Sequence, residues 1–154
     1  MSDQEGRWAE PIYLDASALI KLFVPEPESD DLNERLLDAE DVVVSDLALT
    51  EVAFALGRRV REGLVAPAAA RRVMRAATDL AESLRRAELT PPVHRRAERL
   101  LLTSSHQALR ALDALHLALA LQSDAATFVS YDARLAKAAA AHHLFVAPTA
   151  GGSL

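Results

Sequence analysis

Cysteine is absent from the 154 residues, which excludes disulfides, zinc–thiolate centres, iron–sulfur clusters and cysteine nucleophiles. The absence fits a reducing compartment. Glycine is scarce, with 5 residues in all, which disfavours glycine-rich phosphate-binding loops. No apolar run reaches the ~18–20 residues that a membrane-spanning helix needs. The first ten residues are acidic and polar and lack the make-up of a secretory signal. The expectation is a soluble cytoplasmic protein with no membrane attachment. Lysine is nearly missing, since 15 of the 17 basic residues are arginine.

Apolar residues make up 51% and charged residues 25%, which excludes global disorder. Alanine and leucine dominate and favour helices. The length allows one domain, or at most two very small ones. The net charge of −5 conceals an asymmetry. Residues 1–57 carry a net −11, residues 58–110 a net +7, and residues 111–154 a net −1. The basic middle segment could contact phosphates through arginine forks, or could be an ordinary solvated helix face. The acidic excess argues against indiscriminate nucleic-acid binding.

Short β-prone runs alternate with helical patterns. Residues 12–14, 42–44, 127–130 and 144–146 read as buried strands, and 88–90 as a further short one. Helices are expected over residues 16–24, 28–39, 46–62, 67–86, 93–104, 109–121 and 133–141. Pro25 stops the first, Gly63 stops the third, Pro67 opens the fourth, and Pro91 and Pro92 break the chain. Four or five continuously apolar strands among about seven helices predict one α/β domain. Its parallel sheet should be covered on both faces, with a core over residues 11–147 and polar tails.

Four acids fall where surface charge is not expected. Asp15 directly follows a strand. Glu51 lies in the second turn of a helix that itself follows a strand. Asp113 is the one acid of an apolar helix, and Asp132 follows a strand. Burying a carboxylate among apolar side chains is costly unless it is paired or metal-bound. Ligands of open parallel sheets bind outside the carboxyl ends of the strands, and all four acids can reach that edge. Gathered there they repel one another, and Mg²⁺ or Mn²⁺ would relieve the repulsion and activate water against a phosphodiester. Each acid also has a plainer reading. Asp15, Asp113 and Asp132 could cap helices, and Glu51 could pair with Arg58 or Arg59.

The run Ile12-Tyr13-Leu14-Asp15-Ala16-Ser17-Ala18-Leu19 resembles the opening of PIN-domain ribonucleases. Leu49-Thr50-Glu51-Val52, Leu112-Asp113-Ala114-Leu115-His116-Leu117-Ala118 and Val129-Ser130-Tyr131-Asp132-Ala133-Arg134-Leu135 resemble their second, third and fourth acidic motifs. The resemblance spans residues 11–147 in matching order and looks most like VapC-type toxins of toxin–antitoxin pairs. It implies a PIN-like three-layer α/β/α domain and a Mg²⁺- or Mn²⁺-dependent endoribonuclease. The implied acidic quartet is Asp15, Glu51, Asp113 and Asp132. Ser17 and Ser130 take the supporting hydroxyl positions, Ser130 where threonine is frequent. The resemblance further implies an RNA substrate, a homodimer and a cognate antitoxin that blocks the site. Promoter DNA would be bound only through that antitoxin.

His116 shares a helix face with Asp113. It reads as a buried, hydrogen-bonded core histidine, with a role behind the site or against RNA as the alternative. Arg110 could meet a site carboxylate or a substrate phosphate, or lie on the surface. His142 and His143 read as surface or helix-end residues. No histidine–acid spacing resembles a zinc site. The competing functions are a catalytically silent PIN-like partner-binding module and a nuclease acting on another nucleic acid.

Overall fold

The computed structural model describes residues 6–104 and 108–149. Twelve elements follow one another along them. They are β1 (Ile12–Leu14), α1 (Ala16–Lys21), α2 (Ser29–Leu36), β2 (Val42–Ser45), α3 (Asp46–Arg61) and α4 (Pro67–Ser83), then β3 (Arg85–Ala87), α5 (Pro91–Thr103), α6 (Ala111–Gln122), β4 (Thr127–Val129), α7 (Ala133–Ala141) and β5 (Phe145–Ala147). The strands form one parallel sheet in the order β3-β2-β1-β4-β5. Among the described residues no helix is long and apolar enough to cross a membrane.

The strands are only three or four residues long, yet they divide the molecule into layers. Successive side chains of a strand point to opposite faces. Ile12, Leu14, Val42, Val44 and Val129 therefore join the core built with α1–α4. Tyr13, Val43 and Phe128 join the core built with α5, α6 and α7. Tyr13 and Phe128 stack across β1 and β4 at 5.4 Å and are fully buried. Burying an aromatic of this size contributes roughly 1.5–3 kcal/mol. The result is the expected three-layer α/β/α arrangement.

Several boundaries differ from the sequence reading. The expected strand at 88–90 lies instead at Arg85–Ala87, and α4 stops at Ser83. An edge strand needs no apolar run: Arg85 and Arg86 are exposed and only Ala87 is buried. Pro91 and Pro92 do not break the chain but form the first turn of α5, where a missing N–H costs nothing. The helices expected at 16–24 and 28–39 shorten to α1 and α2, and the chain between them turns through Pro25 and Pro27.

The charge asymmetry along the chain becomes ion pairing between elements. Arg85 meets Asp41 at 2.9 Å, Arg86 meets Asp46 at 2.7 Å and Arg59 meets Glu26 at 3.3 Å. Lys21, mostly buried, is held by Glu26 and Glu28. Part of the basic segment is thus engaged by the acidic one. Neither Arg58 nor Arg59 pairs with Glu51: Arg58 reaches Glu62 at 3.7 Å, and Arg59 reaches Glu26.

Candidate active site

The strand order reverses beside β1, where the chain passes outward through β2 and β3 and then returns to β4 and β5. Such a switch point opens a crevice at the carboxyl ends of the strands. Asp15 follows β1 and its N–H donates to the Val129 carbonyl at 3.1 Å, tying the two strand ends together. Asp132 lies just beyond β4. Helices α3 and α6 run back along the sheet, so Glu51 in the second turn of α3 and Asp113 in the first turn of α6 stand at the same edge. All four acids line one cleft of about 540 Å³, together with Ser17, Arg110, His116 and Arg134.

Local sequence explains how each acid is held. Asp15 caps α1: its Oδ1 accepts from the Ala18 N–H at 2.8 Å and from the Ser17 hydroxyl at 2.6 Å. Ser17 in turn accepts the Tyr131 N–H at 2.8 Å, which fixes the turn after β4. Asp15 is only 2% exposed. Burial raises its pKa above the usual carboxylate value, against the pull of the Ser130 and Ser17 hydroxyls and of His116. Among the described residues it forms no ion pair with lysine or arginine. Ser130 is buried behind the cleft, where its Oγ accepts the Asp132 N–H at 3.1 Å.

Asp113 is the third residue of α6, and its Oδ2 reaches back to the Arg110 N–H at 2.9 Å. This is half of a capping box. The same carboxylate receives a two-pronged contact from Arg134, at 2.7 Å to Oδ2 and 3.3 Å to Oδ1. Asp132, exposed at the rim, caps α7 through the N–H groups of Arg134 and Leu135. The capping readings of Asp15, Asp113 and Asp132 therefore hold alongside their shared cleft.

Glu51 is held differently. Its Oε2 lies 2.5 Å from His116 Nε2. A carboxylate only accepts, so Nε2 carries the proton. His116 Nδ1 lies 2.8 Å from the Tyr13 hydroxyl, which also lies 3.2 Å from Ser45 Oγ. Burial drives the Tyr13 pKa far above its ordinary value, so the phenol keeps its proton. Ser45 itself caps α3 through the Ala48 N–H at 3.0 Å. A hydrogen-bonded line thus runs from β2 through the centre of the sheet to the cleft. His116 is both buried and in the site, 2% exposed with one nitrogen turned to Glu51.

Asp113 pairs with Arg134 and Glu51 with His116, whereas Asp15 and Asp132 have no arginine or lysine partner among the described residues, and of these two only Asp15 is buried. Among the described residues no three of the acids and histidines are gathered into a ready-made metal cage. The donor chemistry still fits a hard divalent cation, because the cleft offers carboxylate oxygens and a buried, raised-pKa carboxylate that a cation would compensate. Two participants escape the sequence reading. Arg134 sits inside the quoted fourth motif, two residues past Asp132, yet its role depends on α6 packing beside α7. Tyr13 reads as a core residue, and nothing local reveals its link to His116.

A family model described as PIN domain matches residues 12–141. Ribonuclease VapC47 of Mycobacterium tuberculosis (strain CDC 1551 / Oshkosh) is 35% identical over 130 residues, covering 80% of this chain and 86% of its own. Ribonuclease VapC46 of Mycobacterium tuberculosis (strain ATCC 25618 / H37Rv) is 36% identical over 136 residues, covering 83% and 89%. The crystal structure of Mycobacterium tuberculosis VapC20, a Sarcin-Ricin loop cleaving toxin, superposes with a TM-score of 0.64 at 21% identity, over 82% of this chain and 94% of that one. VapBC2 from Rickettsia felis, bound to a DNA fragment from its promoter, superposes with a TM-score of 0.61 at 15% identity, over 88% and 96%. At these identities the two solved structures show likeness of fold alone.

Proposed function

The chain belongs to the PIN domain family, and on that premise we propose that it is a metal-dependent endoribonuclease and the toxin of a toxin–antitoxin pair. The observation that carries the proposal is the meeting of Asp15, Glu51, Asp113 and Asp132 in one cleft at the switch point of the sheet. In this reading the four acids would hold Mg²⁺ or Mn²⁺. Bound there, the cation supplies Lewis-acid stabilisation of the charge that builds as water attacks the phosphodiester. Ser17 orients Asp15, and Ser130 steadies the Asp132 turn. His116 holds Glu51 in place rather than touching RNA, and Arg110 is exposed at the mouth, available to a substrate phosphate. The reading takes residues 1–154 as one domain in the cytoplasm, in keeping with the lack of cysteine.

The test is cleavage of RNA and of DNA of matched sequence by the purified protein, with and without Mn²⁺ or Mg²⁺, and mapping of the cut ends. Metal-dependent cuts in RNA are expected. Metal binding without any cleavage, or preferential cutting of DNA, would replace the reading. No metal binding and no cleavage would favour the silent partner-binding module.

A homodimer and a cognate antitoxin belong to the same proposal, with promoter DNA contacted only through the antitoxin. The relation of fold to VapBC2 supports the antitoxin. For self-association the motive is α3. Val52 and Leu56 are buried on it, while Phe54 is 68% exposed. Phe54→Asp is expected to shift the protein toward a 16.6 kDa species in light scattering at micromolar concentration. An unchanged mass would move the interface elsewhere.

A further inference from the structure

Arg134 stands where a cation is wanted. Its guanidinium contacts both oxygens of Asp113, one side-chain pair among 39% and 8% exposed groups. Among the described residues it is the one arginine or lysine that pairs with any of the four acids. It lines the catalytic cleft and also an adjoining cavity of about 260 Å³ that shares Asp113 and runs past Lys137. A guanidinium holds a carboxylate through a planar fork of two N–H donors. A competing cation on Asp113, or a competing anion on Arg134, would break this pair.

We propose that Arg134 is an exchangeable counter-ion and phosphate-binding residue. In the metal-free protein it neutralises Asp113. When a divalent cation takes the Asp113 oxygens, Arg134 is released into the cleft and its planar fork engages a phosphate of the RNA. This inference rests on the metal-dependent nuclease reading and deepens it. Three observations support it. The pair occupies both Asp113 oxygens, so arginine and metal compete for the same atoms. The Arg134 side chain is 39% exposed, so it can leave without being unearthed from the core. It springs from the first turn of α7, on the cleft wall itself, so a released guanidinium stays beside any phosphate bound there. A fork that fits a carboxylate with two bonds fits a phosphate in the same way.

The arrangement has a thermodynamic corollary. Metal and RNA should each strengthen binding of the other, because each frees the partner that the other needs, and such coupling is reciprocal.

The test is titration of the wild-type protein, Arg134→Gln and Arg134→Lys with Mn²⁺ alone by calorimetry. Binding of a short single-stranded RNA is then measured with and without Mn²⁺, under conditions where gels show the RNA intact. Arg134→Gln should bind Mn²⁺ about tenfold more tightly than wild type, since its competitor is gone, within the range usual for coupled sites. Wild-type RNA affinity should rise at least about fivefold on adding Mn²⁺, and Arg134→Gln should lose most of that rise. Arg134→Lys keeps the charge without the fork and should regain metal competition but little of the RNA coupling. Circular dichroism of both variants establishes that they are folded. Mn²⁺ binding to Arg134→Gln that is equal to or weaker than wild type overturns the exchange and leaves the nuclease reading standing. Failure of wild type and both variants to bind Mn²⁺ overturns both.

Discussion

Asp15→Asn is expected to reduce RNA cleavage by on the order of 10³-fold while making the metal-free protein more heat-stable. The two effects come from one cause. Asp15 is buried and lacks a cationic partner, so its charge costs the folded state energy that only a bound cation would recover. Asparagine keeps the Oδ1 acceptor for the Ala18 N–H and the Ser17 hydroxyl and caps a helix about as well as aspartate. The pH dependence carries the same signature. Burial raises the folded pKa of Asp15 above its unfolded value. Its favourable contribution is therefore complete below the unfolded pKa and is lost as pH rises through the folded one. The stability advantage of Asp15→Asn should grow from near zero in acid to a plateau above the raised pKa, about 2–4 °C in melting temperature for each kcal/mol relieved. Mn²⁺ should stabilise wild type and leave the variant nearly unmoved. A variant that melts lower than wild type at neutral pH and still cuts RNA would take Asp15 out of the metal site.

His116→Ala should cost both stability and activity. The imidazole is 2% exposed and bonds Glu51 on one side and the buried Tyr13 hydroxyl on the other. Its removal leaves a cavity and weakens the hydrogen bonding of a hydroxyl deep in the sheet, on the order of 2–4 kcal/mol together. Glu51 also loses its anchor, and cleavage should fall roughly 10–100-fold, as when the outer partner of a metal ligand is removed. Two conservative variants separate the effects. Asparagine can mimic Nδ1 toward Tyr13, and glutamine can mimic Nε2 toward Glu51. His116→Asn should therefore recover more stability than activity, and His116→Gln more activity than stability. Equal recovery of both quantities by both variants would mean that His116 acts only as core filling. Melting curves and single-turnover cleavage rates decide between them.

How far the site is legible in the sequence follows from how local its causes are. Asp15 and Asp132 stand out because each ends an apolar run that must be buried, and a carboxylate there needs a reason. Glu51 and Asp113 stand out as single acids in apolar helical stretches. All four line the cleft because helices that cross back over a parallel sheet bring their N-terminal two turns to the edge where the strands end. The strand at Arg85–Ala87 escapes the same reasoning. An edge strand can carry two exposed arginines, and its pairing partners, Asp41 and Asp46, lie some forty residues earlier. The partners of the acids escape for the same reason. Arg134 meets Asp113 across 21 residues, and Tyr13 meets His116 across 103. Such meetings are decided by packing, which periodicity and capping signals do not record.

The central place of β1 governs when the protein can exist during synthesis. β1 is made more than a hundred residues before β4, its partner on one side. Until then one edge of β1 is open, Asp15 has no Val129 carbonyl beneath it, and the cleft lacks the wall that carries Asp132, Arg134 and Leu135. The early chain is also strongly acidic and lacks Arg59, Arg85 and Arg86, which later neutralise part of it. Closing so long a loop is slow, and the open strand edge invites mispairing meanwhile. A nascent or prematurely terminated chain that stops before β4 therefore holds the first three acids of the quartet without the cleft that unites all four, and the complete pocket appears only once β4 and α7 have been made.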